Sequence, residues 1–296
     1  MPSRKSGHEY GPSQATVHDE RSARRPRPKR IAVLAAAVAL AGAIAGVTAT
    51  GLAAGSASTS ASAVAARQPS SPRAAHSAKA RPERPHPTSA PLRTSCRSVA
   101  HIGDSTSVDL ISPAFIPDQA QRLGARYAAV GVTHAKIDAS GGRSIVEELP
   151  GQLNGYKVAS AWRSHGYRGC WVFALGTNDA ANIAAGSSLG MMARIDQMMA
   201  VAHGQPVMWV NTRTLLSAGP WASANERAWD KTLVRALAKY PNMRLFNWSA
   251  VARPSWFLSD GIHYNSAGCV MRARAIARAL ARAFPQNGQS ASKIVR

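Results

Sequence analysis

Acidic side chains are scarce in this 296-residue chain, which has 15 Asp and Glu against 36 Lys and Arg and a formal net charge of +21. Such an excess of positive charge is typical of proteins that bind nucleic acids, but about half of it lies in residues 1–95. The remainder has no basic run interleaved with aromatics, and the arginines of the last predicted helix (Arg272, Arg274, Arg278 and Arg282) have the spacing of a solvated face. We therefore predict no nucleic-acid partner; an acidic envelope polymer or anionic lipid headgroups suit this charge better.

Metal-binding motifs are also lacking. The sequence has no Cys-x-x-Cys, no His-Glu-x-x-His and no cluster of carboxylates. These are the patterns that zinc and calcium sites usually leave in a sequence. We predict neither a metal nor another cofactor.

Charge is absent from residues 31–54, a run long enough at 1.5 Å per residue to cross a bilayer core. The basic residues just before it predict that segment 1–30 stays in the cytoplasm. The interpretation we favour is a retained single-pass anchor in the cell membrane with the rest of the chain outside. The alternative is a cleaved signal peptide, with Ala61-Ser62-Ala63 as a cleavage site and a secreted product.

Aromatic residues are missing from residues 55–95, which are dominated by Ala, Ser, Pro and Arg. Such a segment buries too little apolar surface to offset the entropy of ordering it. We predict a disordered linker at 55–95, a folded domain at 96–286 and a short tail at 287–296.

Three short segments of the domain carry the residues of acyl-transfer chemistry. Ser105 lies in Gly-Asp-Ser, Asn178 in Gly-Thr-Asn-Asp, and Asp260 with His263 in Asp-Gly-Ile-His. A serine hydroxyl needs an imidazole to take its proton and a carboxylate to orient that imidazole, and Asp-x-x-His places both on one loop. Ser105, His263 and Asp260 are therefore the predicted nucleophile, base and orienting acid.

The oxyanion of the tetrahedral intermediate also needs donors fixed in advance. The Asn178 side chain and the Ser105 backbone N–H are two candidates, and a glycine of Ser-Gly-Gly-Arg at 140–143 is the third. Backbone without a Cβ lets substrate approach closely. We choose Gly141, with Gly142 as its competitor.

These segments resemble the four blocks of the SGNH hydrolase family, also called GDSL-like, which contribute Ser, Gly, Asn and His in that chain order. The resemblance covers roughly residues 96–286, and Thr106 stands where Leu is common. It implies a serine esterase, lipase-like enzyme or acyltransferase, with Ser105 as nucleophile, His263 as base, Asp260 as its partner, and Gly141 and Asn178 in the oxyanion hole.

Short apolar runs that suit strands buried on both faces lie at 99–102, 135–137, 171–175, 207–210 and 243–246. Helical stretches lie at 180–202, 222–240 and 266–284. Alternating strands and helices predict a three-layer α/β/α domain with a five-stranded parallel sheet, which the resemblance makes the flavodoxin-like SGNH fold. The serine, glycine and asparagine segments follow strands, where such sheets place their ligands.

In the strand order common to this fold, the strands that follow Cys96 and Cys170 are neighbours. A Cys96–Cys170 disulfide is then geometrically reasonable in an oxidising compartment, with Cys269 unpaired.

Arg143 and Arg213 are candidates for contact with an anionic substrate, and a surface salt bridge is the competing interpretation for each. Trp221, Trp229 and Trp256 either form a sugar platform or pack in the core and loops, and we favour packing. Asp104 is expected to orient the serine turn, and Asp179 to cap the next helix.

The sequence thus predicts an extracytoplasmic serine hydrolase acting on O-acyl esters of a small molecule or a polysaccharide of the cell envelope. The closest alternative is an O-acyltransferase using the same residues. The third is a polymer-binding domain that keeps the fold without catalysis.

Overall fold

The structure of the chain, a computed structural model, describes residues 91–288 and 292–296. The predicted cytoplasmic segment, the anchor at 31–54 and nearly all of the linker lie outside these residues. In the part that is described, no helix combines the length and apolar character needed to cross a membrane.

A single sheet of six parallel strands forms the middle of the domain, in the order β2-β1-β3-β4-β5-β6. The strands are β1 (Ser98–Gly103), β2 (His134–Ala139), β3 (Cys170–Ala174), β4 (Val207–Val210), β5 (Met243–Phe246) and β6 (Ile294–Val295). Every residue of β3 and β4 is buried, as continuous apolar strands covered on both faces must be.

Helices cover both faces of the sheet. They are α1 (Ser105–Val108), α2 (Leu123–Ala129), α3 (Gly155–Ser164), α4 (Thr177–Ala184), α5 (Met191–Ala202), α6 (Ser223–Lys239) and α7 (Ser266–Ala283). Alternate strand residues enter two separate apolar clusters: Val172 packs with the face of α2 and α7, and Trp171 and Phe173 with the face of α3 to α6. The predicted three-layer α/β/α fold is therefore confirmed.

The predicted strand number is wrong, because the sheet of the described residues has six strands. Ile294 and Val295, which the sequence placed in a tail, pair with Leu245 and Phe246 of β5. Asn247 N–H donates to the Val295 carbonyl at 2.9 Å, and the Val295 side chain is buried. A strand of two residues is too short to produce an apolar run, so the composition gave no indication of it.

The predicted amino-terminal boundary also lies too late. Thr94, which the composition placed in the linker, is fully buried and forms a β-bridge with Pro285. Its N–H donates to the Val130 carbonyl at 2.9 Å. The domain therefore begins a few residues before Cys96.

The helical stretch predicted at 180–202 is two helices rather than one. Gly186 has a φ of 101°, which a right-handed helix does not allow, and α5 restarts after Gly190. Helices α1, α2 and α3 were not predicted.

The Cys96–Cys170 disulfide is present, with the two Cα atoms 5.7 Å apart. It lies beside β1 and β3, which are paired neighbours. Cys269 is a free and buried thiol in α7.

Candidate active site

The serine turn connects β1 to the short helix α1. Asp104 caps this helix: its Oδ1 accepts from the Thr106 N–H at 2.9 Å and from the Thr106 hydroxyl at 2.7 Å. Gly103 has no room for a Cβ, because the Ser107 side chain fills that space. Asp104 therefore fixes the turn that presents Ser105, while burial raises the pKa of its carboxyl.

The predicted base and its acid come from the loop before α7. His263 Nε2 lies 2.9 Å from Ser105 Oγ, and His263 Nδ1 lies 2.7 Å from Asp260 Oδ2. The other carboxylate oxygen of Asp260 accepts from the backbone N–H groups of Ile262 at 2.8 Å and His263 at 3.0 Å. Partial burial opposes ionisation, but these hydrogen bonds outweigh it and hold the pKa of Asp260 below its ordinary value.

The asparagine loop begins at Gly176, where φ is 141° and a Cβ would collide with the indole of Trp229. Only glycine is suited to that position. Gly176 also occupies the N-cap position of α4, and no side chain caps the helix. Asn178 lies inside the helix and therefore does not act as its cap. The turn instead buries Asn178 at the amino-terminal end of α4.

Two hydrogen bonds fix the Asn178 amide. Its nitrogen donates to the Arg143 carbonyl at 3.0 Å, and its oxygen accepts from Trp221 Nε1 at 3.3 Å. The amide nitrogen carries two hydrogens, so one remains for an oxyanion. Trp221 is partly exposed and therefore does not belong to the core, and its N–H holds the amide in one orientation.

The glycine pair lies on an exposed turn after β2. The Gly141 carbonyl accepts from Gln152 Nε2 at 2.9 Å, and a Cβ on Gly141 would meet no neighbour. Gly142 has a φ of 69° and would collide with Leu149 if it carried a Cβ. The structure therefore gives Gly142 the clearer backbone reason to be glycine, and the choice of Gly141 as oxyanion donor stays a prediction.

Arg143 is a structural support and does not face substrate. It is buried, and its guanidinium donates to Asp138 Oδ1 at 2.8 Å, to the Asp138 carbonyl at 3.0 Å and to the Gly103 carbonyl at 3.3 Å. It therefore joins the end of β2 to the serine turn, and its own carbonyl holds Asn178. Arg213 likewise donates inward, to the carbonyls of Ser249 and Ala252.

Behind the asparagine loop lies a buried ionic cluster that the sequence did not reveal. We expected Asp179 to cap α4, but it does not. It accepts instead from the Ile145 N–H at 2.9 Å and from Arg194 Nη1 at 2.8 Å. Arg194 Nη1 also donates to Glu147 Oε2 at 2.6 Å. Burial raises the pKa of Asp179 to about 6, whereas the hydrogen bonds of Glu147 overcome its burial and lower its pKa to about 2. The cluster ties α5 to both loops of the oxyanion hole.

A second buried group lies beneath the serine turn. His101 Nδ1 is 2.9 Å from the Tyr127 hydroxyl and its Nε2 is 3.2 Å from Ser107 Oγ. Burial, with the nearby Arg272, lowers the pKa of His101 to about 3, so its imidazole is neutral.

Arg272 was predicted on a solvated face but is buried. It donates to Thr106 Oγ1 at 3.2 Å and packs over the rings of Trp248 and Tyr264.

The structure therefore brings Ser105, His263 and Asp260 into one hydrogen-bonded line and buries Asn178 with a donor to spare. A hydroxyl, a base that can remove its proton and an acid that orients the base are the parts that acyl transfer requires. The strand order and the position of the blocks at the strand ends agree with the resemblance found in the sequence. The described domain has the three-layer α/β/α fold that this resemblance implies. Ser105, His263 and Asp260 have the arrangement that a serine ester hydrolase requires.

Comparison with known proteins gives no match to any family model and none to a curated protein. Among solved structures, the chain is similar to a carbohydrate acetylesterase family member from Sinorhizobium meliloti (16% identity, 61% of this chain and 95% of that chain, TM-score 0.47). It is also similar to the C-terminal catalytic domain of peptidoglycan O-acetyltransferase A from Streptococcus pneumoniae (16% identity, 62% of this chain and 92% of that chain, TM-score 0.47). A third similar structure is that of a putative arylesterase from Agrobacterium tumefaciens (19% identity, 61% of this chain and 96% of that chain, TM-score 0.47). At these identities the substrate must be argued from this chain's own residues.

Proposed function

We propose that the chain hydrolyses O-acyl esters through an acyl-serine intermediate. The observation that carries the proposal is the line of hydrogen bonds from Ser105 through His263 to Asp260. These three residues and Asn178 come from three loops far apart in the sequence. A domain retained only for binding has no need of this arrangement.

In the first half of the reaction, Ser105 Oγ attacks the ester carbonyl carbon while His263 Nε2 takes its proton. Asp260 stabilises the imidazolium through Nδ1. The oxyanion accepts from the free N–H of Asn178 and from the backbone N–H of Ser105, which has no acceptor within the first turn of α1. Collapse expels the alcohol, which receives its proton from His263.

In the second half, His263 removes a proton from water, which attacks the acyl carbon. Collapse breaks the bond from the acyl carbon to Ser105 Oγ, releases the acid, and returns the proton from His263 to Oγ. The His263 side chain is 32% exposed and that of Asp260 44% exposed, so an acceptor reaches the base from solvent. The same openness also admits a sugar hydroxyl in place of water at this step, as the second candidate, an O-acyltransferase, requires.

We further propose that the enzyme acts outside the cytoplasm on an acylated polysaccharide of the cell envelope. Two features support this. The Cys96–Cys170 disulfide belongs to an oxidising compartment, and the sequence predicts an anchor followed by a linker that would present the domain to the envelope.

The test is incubation of the full-length chain, purified in neutral detergent, with short- and long-chain p-nitrophenyl esters, with and without a polysaccharide acceptor. Ser105→Ala is the matched control, because it removes only the nucleophile. Free acid as the sole product supports the esterase, and acylated polysaccharide supports the transferase. Turnover by Ser105→Ala equal to that of the wild type would overturn the serine mechanism.

A further inference from the structure

A cavity of about 690 Å³ lies at the carboxyl-terminal edge of the sheet, outside the catalytic site. It is bounded by α6 and by residues in or just after β4, β5 and β6, and none of Ser105, Asn178 and His263 lines it. Its volume falls in the range of about 300–1,000 Å³ that small-molecule sites occupy. Open α/β sheets bind ligands at this edge, so the position suits a second site.

The floor of the cavity is polar. Asn211 and Asn247 are the first residues after β4 and β5. The Asn211 amide nitrogen lies 2.9 Å from Asp230 Oδ2, 3.0 Å from Asn247 Oδ1 and 2.9 Å from Ser249 Oγ. Asn247 Oδ1 also accepts from Ser249 Oγ at 2.9 Å and from the Ala250 N–H at 3.2 Å, so it has no capacity left. Asp230 Oδ2 and Ser249 Oγ are the floor oxygens that keep capacity to accept from a ligand. Hydroxyl groups are the natural donors.

The rim of the cavity is cationic. Arg227, Lys231 and Arg235 lie four residues apart along α6, which spaces them by about 6 Å, and all three are exposed. None of them lies within ion-pair distance of a carboxylate in the described part of the chain. Asp230 is the acid of the lining, and burial raises its pKa to about 6. Three unpaired cations in a row match a ligand with repeated negative groups.

The rim and floor together define the ligand's chemistry. Hydroxyl groups would donate to the floor, anionic groups would meet the rim, and Val234 and Ile294 offer apolar surface to the C–H face of a sugar ring. We propose that this cavity binds an anionic polysaccharide, whose charge comes from carboxylate or phosphate groups. A concave polar floor fits a polyol chain better than a flat lipid surface. The site shares no residue with the triad, so binding does not depend on the proposed esterase activity.

The experiment measures binding of the full-length chain, in neutral detergent, to polygalacturonate, phosphomannan, neutral dextran, phosphatidylglycerol vesicles and duplex DNA. Binding to one or both of the first two, and not to dextran, is expected; which polymer binds identifies carboxylate or phosphate as the source of charge. A variant with Arg227→Gln, Lys231→Gln and Arg235→Gln should bind about tenfold more weakly, since each exposed ion pair contributes up to about 1 kcal/mol. Its ester turnover should be unchanged.

Two further variants keep the result specific. The control triple variant removes the same charge from residues outside the cavity: Lys136→Gln, Arg163→Gln and Arg168→Gln. Its affinity for the anionic polymer should stay within about twofold of the wild type. Ser249→Ala leaves the charge unchanged, removes a floor oxygen with capacity to accept and should weaken polymer binding through the floor. Equal losses in the two triple variants, no effect of Ser249→Ala, or binding only to vesicles or DNA would each overturn the proposal.

Discussion

At the residue scale, Asn178 is the side chain whose role the geometry defines most narrowly. It is buried, one amide hydrogen is engaged by the Arg143 carbonyl, and the other is free. Asn178→Ala should lower kcat by roughly 10²–10³ with a smaller change in KM, because the donor acts mainly in the transition state.

Steady-state kinetics on p-nitrophenyl acetate measure this effect. Asn182→Ala is the matched control: Asn182 lies one turn further along α4 and bonds Glu147, outside the site. An Asn178→Ala variant that loses thermal stability but retains wild-type kcat would show that the side chain serves packing alone.

Trp221 is a positioning residue, since its indole N–H holds the Asn178 carbonyl oxygen at 3.3 Å. Trp221→Phe keeps the aromatic ring and removes that donor, which is worth about 0.5–1.5 kcal/mol. We expect kcat to fall about 3- to 10-fold with KM nearly constant. In the Asn178→Ala background the same change should have little further effect, because the two residues act as a unit. Additive losses in this double-mutant cycle would contradict the coupling.

At the scale of elements, the sequence predicted those whose pattern is local. The five apolar runs became β1 to β5. The expectation that a run of this kind is a strand buried on both faces holds best for β3 and β4, which are buried and apolar along their whole length. Strand β2 was predicted as buried but is an edge strand with exposed and half-buried residues, which is why its apolar run was weak. The triad was predictable because Asp260 and His263 share one loop and Ser105 follows a strand. The strands and the triad were both predictable because each depends on the spacing of residues close together in the sequence.

What the sequence did not predict depends on tertiary contacts. Strand β6 exists because β5 offers an unpaired edge. Arg272 has the spacing of an exposed arginine, yet it is buried over Trp248 and Tyr264. Arg194 finds its carboxylates only once α5 packs behind the asparagine loop.

Helix α6 carries a buried acid that makes stability depend on pH. Glu226 is 2% exposed and neither carboxyl oxygen has a partner in the described structure. Burial, with repulsion from Asp230, raises its pKa to about 9 from an ordinary value of 4.5. Below pH 4.5 the group is protonated in both states, and between 4.5 and 9 only the folded state keeps the proton. In that window this group alone lowers the free energy of unfolding by about 1.4 kcal/mol per pH unit.

Glu226→Gln removes this titration while keeping the shape of the protonated acid. We expect the variant to be more stable than the wild type at pH 8 and the difference to shrink towards pH 5. Urea unfolding at pH 5, 6.5 and 8 measures it. The exposed pair partner Glu148, changed to Gln, serves as the control and should show no such trend. A Glu226→Gln variant less stable than the wild type at pH 8 would mean that the carboxylate is ionised and bound in the folded state.

At the scale of the whole molecule, the question is where the domain works. The segment at 31–54 is uncharged and long enough to span a bilayer, it follows a basic flank, and a linker of Ala, Ser, Pro and Arg separates it from Thr94, where the described domain is already folded. The Cys96–Cys170 disulfide at the start of the domain agrees with an oxidising environment. Together these features predict an anchored enzyme whose domain lies outside the membrane.

Full-length protein should therefore fractionate with membranes, and protease added to intact cells should cut within 55–90 and release the domain with its esterase activity intact. The disulfide should be oxidised in the released domain, which thiol labelling with and without reductant measures: Cys269 alone should react in the unfolded, unreduced protein. A soluble product beginning near residue 60 would show that the segment is a cleaved signal and would leave the catalytic assignment untouched. Protein found wholly in the cytoplasm with both Cys96 and Cys170 reduced would overturn the topology and the proposed envelope substrate together, because a cytoplasmic enzyme does not meet that polymer.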